Sequence, residues 1–260
     1  MSKRPRFEKF VNNLPATNKI SVLPLTHGTT AHNLRDMMDK KEIRPFLCDT
    51  LGKEVVFTFY GRPAYRPKNT EQALYQEVGA PVFLILSPDL IAKSGLAHPF
   101  DTGANNSGLY EAFLGDAPTL ADFSFDPTQT SLPALVGRFY GDNRSYLKNS
   151  PDRFASFNGD EFEAKAYHAA LMDARRKGSG DERASTIEIA ISDKISIEKK
   201  HILFAIVPDV LIDGGDTIEA LIEAEISIEP YMFRPGMSWS NYMSQIYSLV
   251  EGRYKSGKLL

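Results

Sequence analysis

The sequence predicts an α+β fold. Two apolar runs of strand character, "APVFLILSPDLI" (80–91) and "HILFAIVP" (201–208), read as strands buried on both faces. Segments with helical spacing stand between such runs without a regular strand–helix alternation, which disfavours a doubly wound sheet. Neither a Gly-x-Gly-x-x-Gly fingerprint nor a Gly-x-x-x-x-Gly-Lys-Ser/Thr loop occurs, so no Rossmann or P-loop site is indicated. The 260 residues, 42% hydrophobic and 24% charged, suit one large domain over 1–260 with a core of its own.

In chain order, 19–30 reads as a strand running into a polar turn, and 30–45 as a helix. Thr30 is a suitable N-cap, Leu34, Met37 and Met38 mark an apolar face, and Pro45 stops the chain soon after. Residues 54–60 (EVVFTFY) form a second strand, and 70–81 a short helix ending near Gly79. From 98 to 158 the pattern dissolves into Gly, Asn, Asp, Ser and Pro punctuation. The helix at 160–177 begins with acids, ends with bases and stops at Gly178, which suits the helix dipole and a glycine C-cap. A strand at 186–195 alternates with period two, 216–226 is helical, and the tail 238–260 carries an amphipathic helix with Trp239, Tyr242, Ile246 and Leu249.

Composition excludes several classes. The single cysteine, Cys48, cannot form an internal disulfide, which predicts a cytoplasmic protein. The basic N-terminus lacks the apolar run of a signal peptide, and no stretch of about 18 apolar residues predicts a membrane span. A net charge of −3 argues against coating nucleic acid by bulk electrostatics, though not against an enzyme touching a few nucleotides. Five histidines and one cysteine show no metal-ligand spacing, so no metal is expected, and there is no Gly-x-Ser-x-Gly elbow.

Polar residues do gather at the ends of three apolar strands. His27-Gly28-Thr29 closes the first, and Gly28 permits close approach to the backbone. The stretch "VVFTFYGRPAYRP" (55–67) ends the second with Tyr60, Arg62 and Tyr65. Glu188 sits mid-strand, sharing a face with Thr186 and Ala190 while Ile187, Ile189 and Ile191 share the other. Each alone fits an ordinary structural residue.

In this order, the three features resemble the ADP-ribosyltransferase fold, and more closely the DarT-type toxins and their CmdT-like relatives. His27-Gly28-Thr29-Thr30-Ala31-His32-Asn33-Leu34 is similar to that family's His-x-Thr-x-x-x-Asn-Leu. Phe57-Thr58-Phe59-Tyr60-Gly61-Arg62 resembles its Phe-x-Phe-x-x-Arg-x-Pro, with the proline one place early at Pro63. Arg183 to Ile189 resembles its late strand, an arginine-bearing loop followed by the catalytic glutamate. The likeness covers roughly 20–90 and 180–212, and 98–178 stands as a large divergent insertion.

The resemblance implies an ADP-ribosyltransferase-like mixed β-sheet core and cleavage of NAD as co-substrate, with ADP-ribose passed to a nucleic-acid base in RNA or single-stranded DNA. It further implies a bacterial toxin or phage-defence effector, with an antitoxin protein as a further partner. Glu188, His27 and Arg62 take the catalytic positions. His27, Gly28, Thr29, Asn33, Tyr60, Arg62 and Tyr65 would line the NAD site, with Tyr60 or Tyr65 stacking on nicotinamide and Arg62 pairing with the pyrophosphate or bracing the loop. Asp181, Glu182, Arg183 and Thr186 would form the acceptor loop, and Phe139, Tyr140, Tyr146 and Phe154 would either stack bases or pack the insertion's own core. Transfer to protein, or binding of nucleic acid or protein without turnover, are the alternatives.

Overall fold

The computed structural model describes residues 6–64, 73–106, 118–173 and 183–260. Its strands are β1 (Leu25–Thr30), β2 (Glu42–Ile43), β3 (Phe46–Cys48), β4 (Lys53–Tyr60), β5 (Ala73–Leu74), β6 (Pro81–Leu86), β7 (Ser94–His98), β8 (Glu188–Ile191), β9 (Ile195–Ser196), β10 (Ile202–Pro208), β11 (Ser227–Tyr231) and β12 (Met237–Ser238). Its helices are α1 (Arg6–Asn12), α2 (Ala31–Lys40), α3 (Thr102–Asn106), α4 (Ser131–Tyr140), α5 (Asn143–Leu147), α6 (Phe162–Met172), α7 (Asp216–Glu223) and α8 (Trp239–Ser256). The fold is α+β.

Among the described residues the main sheet has eight strands, in the order β11-β10-β6-β1-β4-β8-β7, with β3 paired to β4. Only β10 and β11 run parallel; the other pairings are antiparallel, so the sheet is mixed. All six residues of β6 are buried, as its unbroken apolar run requires of a strand covered on both faces. Strand β6 lies between β1 and β10 and anchors the centre of the sheet.

Thr30 caps α2 as its residue type predicts, accepting the Asn33 N–H at 3.3 Å. The helix ends at Lys41 in the left-handed region, before Pro45, and the chain continues into β2 and β3 instead of a loop. The helix expected at 70–81 is replaced, over its described part, by β5 and a 3-10 turn at Glu77–Gly79. With only about one turn between strands, local helix propensity had too few hydrogen bonds to act through. The helices at 216–226 and in the tail form as α7 and α8, and that at 160–177 as α6 over its described part. No described helix is long and apolar enough to cross a membrane.

The weakly patterned stretch 98–158 contains α3, α4 and α5, and its aromatic residues settle the question raised for them. Phe139, Tyr140 and Tyr146 are buried in the same core cluster as Val56, Tyr60 and Ile189, so they are core residues. Phe154 is 91% exposed and stands apart from them.

Candidate functional site

The site is organised by a break in the sheet. Strands β1 and β4 are paired only at Leu25–Tyr60 and Thr26–Phe59. From His27 onward they part, while β1 keeps its full register with β6 out to Thr30–Pro81. The His27 ring occupies the mouth of the split, its Nδ1 bonded to the Phe57 carbonyl at 2.9 Å. A carbonyl can only accept, so Nδ1 carries the proton and Nε2 presents a lone pair. Nε2 is buried and, among the described residues, meets no hydrogen-bond partner. Burial holds the imidazole below its usual pKa, and hence neutral.

On the far side of β4, Glu188 stands opposite Phe59 on one flank and opposite His98 on the other. Directly opposed antiparallel residues project from the same face, so Phe59, Glu188 and His98 form a row across three strands. Glu188 is 3% exposed. Its two oxygens accept the Thr102 N–H at 3.1 Å and the Thr102 hydroxyl at 2.7 Å. Burial, reinforced by the neighbouring charge of Asp101, pushes the carboxyl up to about 8, against the two hydrogen bonds from Thr102. Asp101 itself accepts the Ala104 N–H through Oδ1, and its own N–H donates to the Arg183 carbonyl. The start of α3 is thereby tied to the turn that precedes β8.

Strict strand alternation sets His27 on the face of Thr58 and Tyr60, and Glu188 on the face of Phe57 and Phe59. The two thus belong to opposite faces, and the His27 ring reaches the sheet plane at the split, where the Phe57 carbonyl points towards β1. Phe57 is half-buried beside this opening, and its ring lies 5.7 Å from that of Phe46, which is 56% exposed. Gly28, partly exposed, completes the β1 side, with Thr29 buried behind it. Asn33 is exposed in the first turn of α2.

Two residues expected in the NAD site lie in the core instead. Tyr60 is fully buried; its hydroxyl accepts the Leu23 N–H at 3.0 Å, and its carbonyl accepts the Tyr146 hydroxyl at 2.8 Å. Its ring has no face left for a nicotinamide. Arg62 is also fully buried, because the chain turns inward at Gly61. Gly61 has φ +68°, and a Cβ there would stand 2.5 Å from Leu23 Cδ1. The guanidinium donates through Nη1 to the carbonyl and hydroxyl of Ser185, both at 3.1 Å, and lies 5.3 Å from the centre of the Tyr146 ring. In this arrangement Arg62 braces the turn before β8, and a phosphate role would require it to leave the core.

Arg183 is half-buried and Thr186 fully buried, whereas Tyr65, Asp181 and Glu182 lie outside the described residues. Sequence reasoning missed Thr102, Asp101, His98, Phe57 and Phe46 as members of this neighbourhood. Of these only Phe57 carried a signal, as the first aromatic of the Phe-x-Phe strand. Among the described residues no group of three His, Cys, Asp or Glu side chains is gathered that could hold a metal ion. No family model, curated protein or solved structure matches the chain.

Proposed function

We propose that the chain is an ADP-ribosyltransferase that cleaves NAD and transfers ADP-ribose to a nucleic-acid base in RNA or single-stranded DNA. The proposal includes the corresponding fold, with the β1–β4 split as the NAD site. The observation that carries it is the presence of two buried, oriented polar groups on the strands that flank β4. One is a neutral imidazole locked with Nε2 as acceptor; the other is a carboxylate held at fixed orientation by Thr102.

Breaking the nicotinamide–ribose bond develops positive charge on the ribose in an oxocarbenium-like transition state, as in glycoside cleavage. Nicotinamide leaves as a neutral molecule, so one carboxylate and a fixed ribose suffice. His27 Nε2 accepts a hydrogen bond from a ribose hydroxyl, which supplies the partner it otherwise lacks. The Gly28 backbone lies against the nicotinamide amide. Phe57, rather than Tyr60, offers the ring face for nicotinamide. Glu188, charged, stabilises the ribose cation; each carboxylate oxygen keeps a lone pair beyond the bond from Thr102. A role as toxin or defence effector, with an antitoxin to restrain it, belongs to the same reading and rests on the motif resemblance alone.

The test is incubation with NAD labelled in its adenylate moiety and, separately, single-stranded DNA, RNA or a cell-protein extract, with Glu188→Gln alongside. Label on nucleic acid that the variant does not produce supports the proposal. Label on protein only would move the acceptor to protein. Protein that neither binds nor consumes NAD would overturn the reading.

A further inference from the structure

The proposed chemistry leaves one buried titratable group of the row unused. His98, the last residue of β7, is directly opposite Glu188 and only 2% exposed. Among the described residues its side chain makes no hydrogen bond or ion pair, with Glu188 or with any other group. Its carboxylate neighbour is held instead by Thr102, four residues further on, so a bare imidazole from β7 stands beside a capped carboxylate from β8. An apolar side chain would fill this place without the cost of desolvating an imidazole; burial keeps His98 neutral, its pKa lowered to about 4.

Strand order separates the two halves of the chemistry. The groups assigned to NAD, His27, Gly28 and Phe57, stand on β1 and β4, on one side of Glu188. His98 stands on β7, on the other side, where an acceptor would approach a ribose already engaged from the β4 side.

We infer that His98 is a catalytic residue for the acceptor: its imidazole accepts the hydrogen of the attacking N–H or O–H group and takes that proton. This rests on the ADP-ribosyltransferase reading above and deepens it. In the step, the acceptor's lone pair forms the new bond to ribose C1′. The old C1′–nitrogen bond breaks and its electron pair returns to nicotinamide. The acceptor's proton passes to His98 and then to water. The attacking atom becomes strongly acidic once bonded to C1′, so a weakly basic imidazole that stays unprotonated at neutral pH is sufficient. The acceptor class this selects is one that sheds a proton on attack: an amino or imino group of an unpaired base, or a ribose hydroxyl. A tertiary ring nitrogen would have no proton to give.

The experiment compares wild type, His98→Ala and His98→Gln in three measurements: melting temperature, NAD affinity by calorimetry, and label transferred to the acceptor found for wild type. Glutamine can hold a hydrogen bond but cannot carry the proton. The expected result is NAD affinity within about twofold of wild type, with transfer reduced about 100-fold or more in both variants. Transfer within threefold of wild type in folded His98→Gln would overturn the inference while leaving the NAD reading intact. So would parallel loss of NAD binding and transfer, which would place His98 among the NAD contacts. Wild-type protein indifferent to NAD would overturn both readings together.

Discussion

The backbone N–H and the hydroxyl of Thr102 both donate to the carboxylate of Glu188, so one residue fixes both oxygens of the group on which the proposed chemistry depends. That hydroxyl favours the charged form, against burial and Asp101, which favour the neutral one. If charged Glu188 stabilises the ribose cation, kcat/KM for transfer should rise with pH through a midpoint near 8. Thr102→Val removes the hydroxyl, keeps the N–H and much of the shape, and should move the midpoint to higher pH. A pH–rate series for both proteins checks this; an unmoved midpoint would mean that the titrating group is another one.

The same carboxyl burdens the fold. Its folded pKa, about 8, lies above its ordinary value of 4.5, so between these pH values the native state holds a proton that the unfolded chain has released. Stability therefore falls as pH rises from about 4.5 to about 8. Glu188→Gln should match wild type in melting temperature near pH 5 and exceed it above pH 8, by an amount equivalent to a few kcal/mol at most. Transfer in the same variant should fall on the order of 10²–10³-fold. A variant that loses activity while gaining stability is the expected mark of a group kept for function.

His98 and His27 act in the opposite sense. Both are lowered from 6.5 by burial, His98 to about 4, so on acidification the unfolded chain binds protons before the native state does. Their contribution falls as pH drops below about 6.5, and His98 has lost its share by about 4. Between about pH 4.5 and 6.5 these contributions oppose that of Glu188, so wild-type stability should change little there and fall as pH rises from about 6.5 to about 8. Melting curves of His98→Gln should lose much of the opposing histidine contribution and keep the alkaline fall, whereas Glu188→Gln should do the reverse.

Much of this layout could be read from the sequence, for identifiable reasons. The unbroken apolar run of β6 and the Thr30 cap act over a few residues, and local pattern reports them directly. That Glu188 and Ile189 point to opposite faces also follows from period two. Which face holds the core does not, because both faces of the sheet are covered; the sequence therefore points to Tyr60, which is buried, and passes over Phe57, which is half-buried. His98 and Thr102 meet Glu188 through strand register and a contact spanning 86 residues, in the very stretch where the pattern is weakest. For Arg62 the sequence leaves two roles open, pyrophosphate contact and loop brace, and the choice rests on the close packing of Gly61 on Leu23 and on Ser185, which lies 123 residues away.

Arg62 offers a direct test of its two roles. As the brace of Ser185, stacked over Tyr146, it should be needed for stability: Arg62→Ala removes charged donors from a buried carbonyl and hydroxyl, at a cost on the order of 3 kcal/mol. For a chain of this length that corresponds to a fall in Tm of about 6–12 °C. Arg62→Lys should recover only part of it, since a single ammonium cannot reproduce the planar stacking. An alanine variant with unchanged Tm and a raised KM for NAD would instead place Arg62 on the pyrophosphate.

The aromatic partner of nicotinamide can be assigned the same way. Tyr60 is enclosed, with its hydroxyl and carbonyl both engaged, whereas Phe57 is half-buried at the split with its carbonyl on His27. Tyr60→Leu should lower Tm by several degrees through the lost ring and the stranded Leu23 N–H, yet leave NAD affinity of the folded protein within about twofold. Phe57→Ala keeps the backbone carbonyl that orients His27 and leaves a partly exposed position smaller, so its effect on Tm should be slight. Its effect on NAD should be larger, because stacking on an aromatic side chain contributes about 1–3 kcal/mol, or roughly a thirtyfold rise in Kd at the middle of that range. Calorimetric titrations on both variants, below their melting temperatures, decide the matter. Weakened binding in Tyr60→Leu with normal binding in Phe57→Ala would mean that the β1–β4 split opens towards the Tyr60 face when NAD enters.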